Sequence, residues 1–184
     1  MMGPPGAGKG TQGERLAAHY GVPRYSTGDI LREARSGGTE LGRRAQGYMD
    51  AGELVPDEVI LGVVDEVLRT DEAARGFVFD GFPRTVAQAE GLASILRAQG
   101  VALDAVIDLD VPRGVLDERL SGRRGEDARS DDRPETVARR LEVYAEETAP
   151  VLEWYERSDV PLLRIDGDRD IETIQQDLRR RLST

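Results

Sequence analysis

The most informative segment of the chain is Gly3-Pro4-Pro5-Gly6-Ala7-Gly8-Lys9-Gly10-Thr11, a glycine-rich turn. Glycines let the backbone close tightly around an anion, so that several N–H groups point into one concavity. The helix predicted to begin near Gly10 adds the positive end of its dipole. A segment of this kind is typical of a loop that holds the phosphate groups of a nucleotide.

The loop departs from its usual pattern at one position. A serine or threonine normally follows the lysine, whereas here Gly10 follows Lys9 and the hydroxyl comes one residue later, at Thr11. A mobile tail rich in glycine and proline is therefore an alternative interpretation. Lys9 favours the phosphate loop, because it is the single lysine among 25 basic residues. A narrow ammonium fits such a loop better than the planar fork of arginine.

Composition narrows the class of protein. The chain has 184 residues, enough for one domain with a well-formed core, and 39% of them are hydrophobic. No apolar run is long enough to span a bilayer and no signal peptide is visible, so we expect a cytoplasmic protein. The lack of cysteine excludes disulfides, and the single His19 argues against a zinc site. A net charge of −10 argues against nucleic-acid and membrane partners.

Strand-like and helix-like segments alternate along the chain. The apolar runs at 77–80, 105–109 and 161–165 each lie between segments with helical periodicity. This alternation is typical of an α/β fold, a parallel sheet covered by helices on both faces. Only Met1-Met2 precede the loop, where a buried strand is expected. The first strand is therefore predicted to be severely shortened, unless the natural start lies further upstream.

Two segments depart from simple strand–helix units. Residues 27–55 read as a pair of helices, the first capped by Ser26. Residues 124–132 are polar and lack a period, as a surface loop does. A long helix then begins at Pro134 and is predicted to bend at Pro150.

Together with the loop, three later motifs resemble those of the nucleoside monophosphate kinase family and, within it, the adenylate kinases. These motifs are Ser26-Thr27-Gly28-Asp29-Ile30-Leu31-Arg32, Asp80-Gly81-Phe82-Pro83-Arg84-Thr85 with Gln88, and Arg129-Ser130-Asp131-Asp132 with Arg140. The match runs in order through nearly the whole chain, and four spaced motifs are far more specific than one. The resemblance implies an enzyme that transfers the γ-phosphoryl group of ATP reversibly to AMP, giving two ADP.

The resemblance also implies a division of the chain. The core, an α/β domain of the P-loop NTPase type with a parallel β-sheet, would comprise residues 1–26, 56–122 and 134–184. Residues 27–55 would be a helical AMP-binding insert. Residues 123–133 would be a short lid, too brief for the zinc site that some relatives carry. The ligands would be ATP, AMP and ADP, Mg²⁺ would accompany ATP, and the protein would be a monomer.

The resemblance also implies roles for individual residues. Catalytic roles would fall to Lys9, Arg84, Arg123, Arg129 and Arg140. The ATP-binding residues would be Gly6, Ala7, Gly8, Lys9, Gly10, Thr11, Arg119, Arg123 and Arg169. The AMP-binding residues would be Thr27, Arg32, Glu53, Leu54, Val55, Gly81, Phe82, Pro83, Arg84, Gln88, Arg129 and Arg140. Asp80 would hold Mg²⁺ through bound water and not directly.

These residue types suit phosphoryl transfer, which needs alignment and charge stabilisation and no protein nucleophile. Thr27 and Thr85 favour AMP, because the pyrimidine-directed relatives usually carry alanine and asparagine at the matching positions. A pyrimidine monophosphate kinase is the nearest alternative. A nucleotide-binding module without turnover is the second. Any one of the arginines, taken alone, reads more readily as a solvated surface charge.

Overall fold

The structure is a computed structural model that describes residues 1–122 and 133–183. The helices in these ranges are α1 Lys9–Tyr20, α2 Thr27–Ser36, α3 Glu40–Ala51, α4 Asp57–Leu68, α5 Val86–Gln99, α6 Arg113–Ser121, α7 Pro134–Val143, α8 Ala149–Glu156 and α9 Ile171–Leu182. The strands are β1 Arg24–Ser26, β2 Val78–Asp80, β3 Val106–Asp110 and β4 Leu162–Asp166. A short 3₁₀ turn, Ala73–Arg75, precedes β2.

All strand pairs run parallel, as the alternation of elements predicts. Strand β1 pairs with β2, and β3 pairs with β4. The two pairs are joined through Met1 and Met2. The amino group of Met1 donates to Phe79 O at 2.5 Å, and Met1 O accepts from the N–H of Gly81 at 3.0 Å. Met2 pairs with β3 on the other side. Its N–H donates to Ile107 O at 2.6 Å, and its O accepts from the N–H of Leu109 at 3.0 Å.

Met1-Met2 thus take the place of the expected first strand, between β2 and β3. Met2 is only 2% exposed, so this two-residue segment is part of the core although it is short. Because the phosphate loop follows directly, these hydrogen bonds fix where the loop leaves the sheet.

Alternate residues of β3 pack into different hydrophobic clusters. Ile107 and Leu109 belong to a cluster that also contains Leu16 of α1 and Leu178 of α9. Val106 points to the opposite side. Its cluster is completed by Met2, Ala89, Val151 and Tyr155. Because a strand directs successive side chains to opposite faces, both faces of the sheet are covered by helices. The predicted α/β fold is confirmed.

Helices α2, α3 and α4 pack in a third hydrophobic cluster, in which Leu31, Ala45 and Ile60 join Phe79 of β2. Helix α2 begins as predicted, since Ser26 Oγ accepts a hydrogen bond from the N–H of Asp29 at 3.2 Å. Thr39 caps α3 in the same way, through the N–H of Gly42 at 3.1 Å. In the described part of the chain, no helix has the length and apolar character needed to cross a membrane.

The long helix that begins at Pro134 is interrupted earlier than expected. A wider, π-type turn, Tyr144–Thr148, separates α7 from α8, and Pro150 follows within the first turn of α8. Proline has no N–H and its ring clashes with the carbonyl four residues back, so the turn ahead of it widens. The N–H of Ala149 accordingly reaches back five residues, to Tyr144 O. Such turns are frequent at functional sites.

Candidate functional site

A cavity of about 500 Å³ opens at the carboxyl ends of the strands, where open α/β sheets place their ligands. The phosphate loop, the helix pair α2–α3, the turn after β2 and the end of α7 all line it. Among the residues assigned by resemblance, it brings together Gly6, Gly8, Lys9, Gly10, Thr11, Thr27, Arg32, Glu53, Leu54, Val55, Asp80, Gly81, Pro83, Arg84, Gln88 and Arg140. Residues that lie far apart in sequence therefore share one site.

The phosphate loop is ordered around the amine of Lys9. Its Nζ atom donates to Gly3 O at 2.8 Å and to Pro4 O at 2.9 Å. Gly8, the residue before α1, has φ 91° and faces open space, a left-handed conformation that favours glycine. The helix start is thereby left unobstructed toward the cavity, with its N–H groups at the positive end of the dipole.

Arg84 is held in the cavity wall by contacts along its length. Its Nε atom donates to Gly81 O at 2.7 Å, and its backbone N–H donates to Gln88 Oε1 at 2.7 Å. Its backbone oxygen accepts from the hydroxyl of Thr148, in the π-type turn, at 2.9 Å. This anchoring orients the guanidinium group before any ligand is bound.

A chain of alternating charges connects residues in the wall of the cavity. Arg24 donates from one nitrogen to Asp80 Oδ2 at 2.5 Å and from the other to Asp29 Oδ2 at 2.9 Å. Asp29 also accepts from Arg32. The carboxylate at the end of β2 is thereby linked to an arginine of α2. Asp80 also lies beside the phosphate loop, since its Oδ2 is 3.6 Å from the point that a Cβ on Gly10 would occupy.

This network should make stability depend on pH through Asp29. Burial alone would raise the pKa of Asp29, but the hydrogen bond and charge of Arg32 outweigh it and lower that pKa to about 2. The unfolded value is about 3.9. A depressed pKa contributes stability above the unfolded value, and this contribution is lost as the pH falls toward the folded value.

We expect Asp29→Asn to lower the thermal unfolding midpoint by about 2–4 °C at pH 7, since a half-exposed ion pair stabilises modestly. The difference from the wild-type protein should shrink as the pH falls from 4 to 2.5. Thermal scans of both proteins across this range, with the exposed Asp71→Asn as control, test the expectation. A difference that is constant down to pH 2.5 would contradict it.

The helix pair α2–α3 contacts α7 at the rim of the cavity. Arg139 Nε donates to Glu53 Oε1 at 2.7 Å, and Thr136 Oγ1 donates to Asp50 O at 3.4 Å. The carboxylates of Glu53 and Glu142 raise the pKa of Arg139 further above its already high value. Arg139 is partly exposed, as expected of a surface arginine, and its ion pair links α7 to the segment that follows α3.

Four of the assigned residues in the described ranges do not line the cavity. The side chains of Ala7 and Phe82 are buried in the core, so any ligand contact of theirs would be through the backbone. Arg119 donates to Gly167 O at 2.9 Å, two residues before Arg169. Arg119 of α6 thus contacts the loop after β4, which also carries Arg169. Arg123 and Arg129 lie outside the described residues.

Tyr144 lines the cavity and lies within the electrostatic influence of Asp108 and Asp110. Burial raises the pKa of the Tyr144 hydroxyl well above its usual range, and the charges of Asp108 and Asp110 raise it further. Burial, followed by the charge of Asp110, also raises the pKa of Asp108, while Arg164 and Lys9 oppose the rise. The phenol therefore stays neutral at neutral pH.

Several residues in or behind the cavity wall lie outside any recognisable sequence motif. Arg24, Tyr144 and Thr148 line the cavity, and Asp57 holds the side chain of Gln88 at 2.8 Å. For Tyr144 and Thr148, the only sequence signal was Pro150, which predicted a bend in the helix. The partners of Arg24 and Asp57 lie up to 56 positions away, so no local pattern marks them.

A parallel sheet with a phosphate loop beside a cavity lined by arginines is the architecture of a phosphate-loop phosphotransferase. The model of the family described as adenylate kinase matches residues 1–160. An adenylate kinase of Thermobifida fusca is 49% identical, with 96% of this chain and 93% of the relative covered. That of Bacillus subtilis is 45% identical, with 97% of this chain and 94% of the relative covered. That of Shouchella clausii is 44% identical, with 100% of this chain and 96% of the relative covered.

The chain belongs to the adenylate kinase family. Its members are phosphotransferases that act on nucleotides, which agrees with the phosphate loop and with the arginines of the cavity. Within residues 1–122 and 133–183, no three His, Cys, Asp or Glu side chains are grouped as a metal site.

Proposed function

We propose that this protein transfers the γ-phosphoryl group of ATP reversibly to AMP, giving two ADP. The observation that carries the proposal is the shared cavity. One volume of about 500 Å³ is lined on one side by the phosphate loop and on the other by α2, α3 and the turn after β2. Two nucleotides bound from these two sides would meet with their phosphates between Lys9 and Arg84.

ATP would bind with its terminal phosphates in the loop. The N–H groups from Gly8 to Thr11 would surround the phosphate oxygens, and the Lys9 amine would leave the carbonyls of Gly3 and Pro4 for the phosphates. Asp80, beside the loop and at the end of β2, offers the hard oxygen that Mg²⁺ prefers, and could hold it through water. When bound, Mg²⁺ would neutralise part of the charge on the phosphates.

AMP would bind against the helix pair. Thr27 and Arg32 lie on α2, while Leu54 and Val55 lie in the segment that leads into α4, and all four line the cavity. Arg84 would pair with the phosphate through its planar fork. Gln88, buried in the cavity wall, would meet the edge of the base. These contacts support the assignment of residues 27–55 as the AMP-binding insert, and the family resemblance supports the proposal that residues 123–133 are the short lid.

Transfer itself would depend on position and charge. Lys9, Arg84 and Arg140 line the same cavity, so their positive charges would surround the group in transit. Arg123 and Arg129 would add to them from the lid. Closure of the insert and lid would exclude water, which would otherwise accept the phosphoryl group. The contact of Glu53 with Arg139 is the kind of bond that would hold the insert closed.

A comparison of acceptors tests the proposal. Purified protein with Mg-ATP is offered AMP, UMP or CMP, and ADP formation is followed in a coupled assay. We expect AMP to be used with a kcat/KM about a hundredfold or more above that for UMP or CMP. Preferred use of UMP or CMP would assign the protein to the pyrimidine-directed branch, and ATP binding without ADP formation would indicate a module without turnover.

The protein is further proposed to act as a monomer in the cytoplasm. Lys9, Arg84 and Arg140, which would carry the reaction, line one cavity within a single chain, and this supports the proposal of a monomer. A single peak at the mass of one chain in light scattering during activity would agree with this.

A further inference from the structure

The side chain of Gln88 is fixed in one orientation by its neighbours. It is 2% exposed and lines the cavity. Its Oε1 atom accepts from the backbone N–H of Arg84 at 2.7 Å, and its Nε2 atom donates to Asp57 Oδ1 at 2.8 Å. A backbone N–H can only donate and a carboxylate can only accept. Turning the amide over would place donor against donor and acceptor against acceptor, so a single orientation is stable.

Asp57 holds more than the amide. The same Oδ1 atom accepts from the hydroxyl of Thr85 at 3.0 Å, and that hydroxyl in turn caps α5 by accepting from the N–H of Gln88 at 3.1 Å. Asp57 is the first residue of α4, and only Pro56 separates it from the segment 53–55 that lines the cavity. It therefore ties the starts of two helices together behind the wall of the cavity.

We propose that Asp57 is a positioning residue that sets base specificity, because it fixes the Gln88 amide to match a 6-aminopurine and to oppose a 6-oxopurine. This inference rests on the proposed function, which places the base of the acceptor nucleotide against Gln88. In the fixed orientation, one N–H of Nε2 remains to donate and one lone pair of Oε1 remains to accept.

The two kinds of purine differ in this respect. Adenine presents N1 as an acceptor beside its amino group as a donor, which complements the fixed amide. Hypoxanthine has nearly the same shape, but its N1 carries a hydrogen and its position 6 carries an oxygen, so both partners are reversed. A site built to bond one pattern leaves buried polar groups unpaired with the other, which is a strong basis for rejection. AMP and IMP are therefore the matched pair of acceptors.

The test is the ratio of kcat/KM for AMP to that for IMP, with Mg-ATP as donor. Asp57→Ala leaves only the N–H of Arg84 to orient the amide, so the ratio should fall about tenfold or more. Asp57→Asn keeps a carbonyl acceptor and should restore most of the ratio. Glu58→Ala removes one exposed charge from the same helix start and should leave the ratio unchanged. If Asp57→Ala is unstable, Asp57→Leu fills similar space without an acceptor.

Two outcomes would overturn the inference in distinguishable ways. If Asp57→Ala and Asp57→Leu lower both efficiencies together and leave the ratio unchanged, Asp57 supports the fold and does not set specificity. Gln88→Met separates this from a failure of the proposed site. An unchanged ratio in Gln88→Met would place the base elsewhere, and would contradict the proposed AMP pocket together with the role of Asp57.

Discussion

Replacing Lys9 with methionine is expected to lower kcat/KM for ATP and AMP about a thousandfold or more, with the fold retained. The amine is the single ammonium side chain of the molecule, it lines the cavity, and it lies on the loop that would hold the phosphates. Loss of one preorganised donor to the developing charge typically costs about a hundred- to a thousandfold. A thousandfold corresponds to about 4 kcal/mol of barrier. Coupled assays and thermal unfolding of both proteins measure the two parts of this expectation.

Methionine keeps the length and apolar stem of the side chain, so the variant removes the charge together with the hydrogen bonds of the amine to Gly3 O and Pro4 O. Arg97→Met is the matched control, because it removes an exposed cation from α5, away from the cavity. It should leave activity within about twofold of wild type. If Lys9→Met retained more than about a tenth of the wild-type activity, the amine would not act on the transferred group.

Arg84→Ala should reduce activity by a similar factor, about a thousandfold. The guanidinium lies in the cavity wall, and its Nε is held by Gly81 O at 2.7 Å. Well-placed arginines in phosphoryl transfer contribute about 10³ to 10⁵ in rate. The backbone bonds of Arg84 to Gln88 and Thr148 do not require its side chain, so the local structure should persist. Steady-state kinetics with AMP, together with circular dichroism, measure both effects.

Arg84→Lys distinguishes the planar fork from the bare charge. A lysine cannot bond two phosphate oxygens in the same fixed geometry, so it should recover less than about a tenth of the activity. Arg97→Ala, on the exposed face of α5, again controls for the loss of a cation. Equal activity in Arg84→Lys and wild type would mean that the charge alone matters, and near-normal activity in Arg84→Ala would remove Arg84 from the mechanism.

Most elements of the fold could be predicted, because their signals are local. Ser26, Thr39 and Thr85 each precede a helix and each caps it, through a bond to an N–H three residues on. A cap needs only a short polar side chain at the right offset, which sequence shows directly. The parallel sheet follows from the alternation of strands and helices, and the family comparison agrees.

The pairing of Met1-Met2 and the π-type turn could not be predicted from local sequence. Two residues are too few to show a period, and their pairing depends on Phe79 and Ile107, far along the chain. The turn at Tyr144–Thr148 begins before the proline that accompanies it. In both cases tertiary contacts, not local propensity, select the conformation.

Most of the cavity residues that could be named from the sequence belong to a motif, whereas Glu53, Leu54 and Val55 could be named from the resemblance alone. Lys9, Arg32 and Arg84 fall within motifs, and the structure gathers all three at one cavity. Arg24 and Asp57 act through partners that only the fold brings near, so their sequence neighbourhoods show nothing unusual. Arg139 is a surface arginine, but its bond to Glu53, 86 positions away, depends on the fold and leaves no local signal.

The account requires that one cavity hold both nucleotides in line. A probe made of two adenosines joined by a pentaphosphate spans both places at once, and its binding to the wild-type protein can be measured by calorimetry. We expect one molecule per chain, bound at least about a hundredfold more tightly than ATP or AMP alone, because the second half binds within the same molecule. Binding no tighter than that of ATP, or two molecules per chain, would contradict the shared cavity.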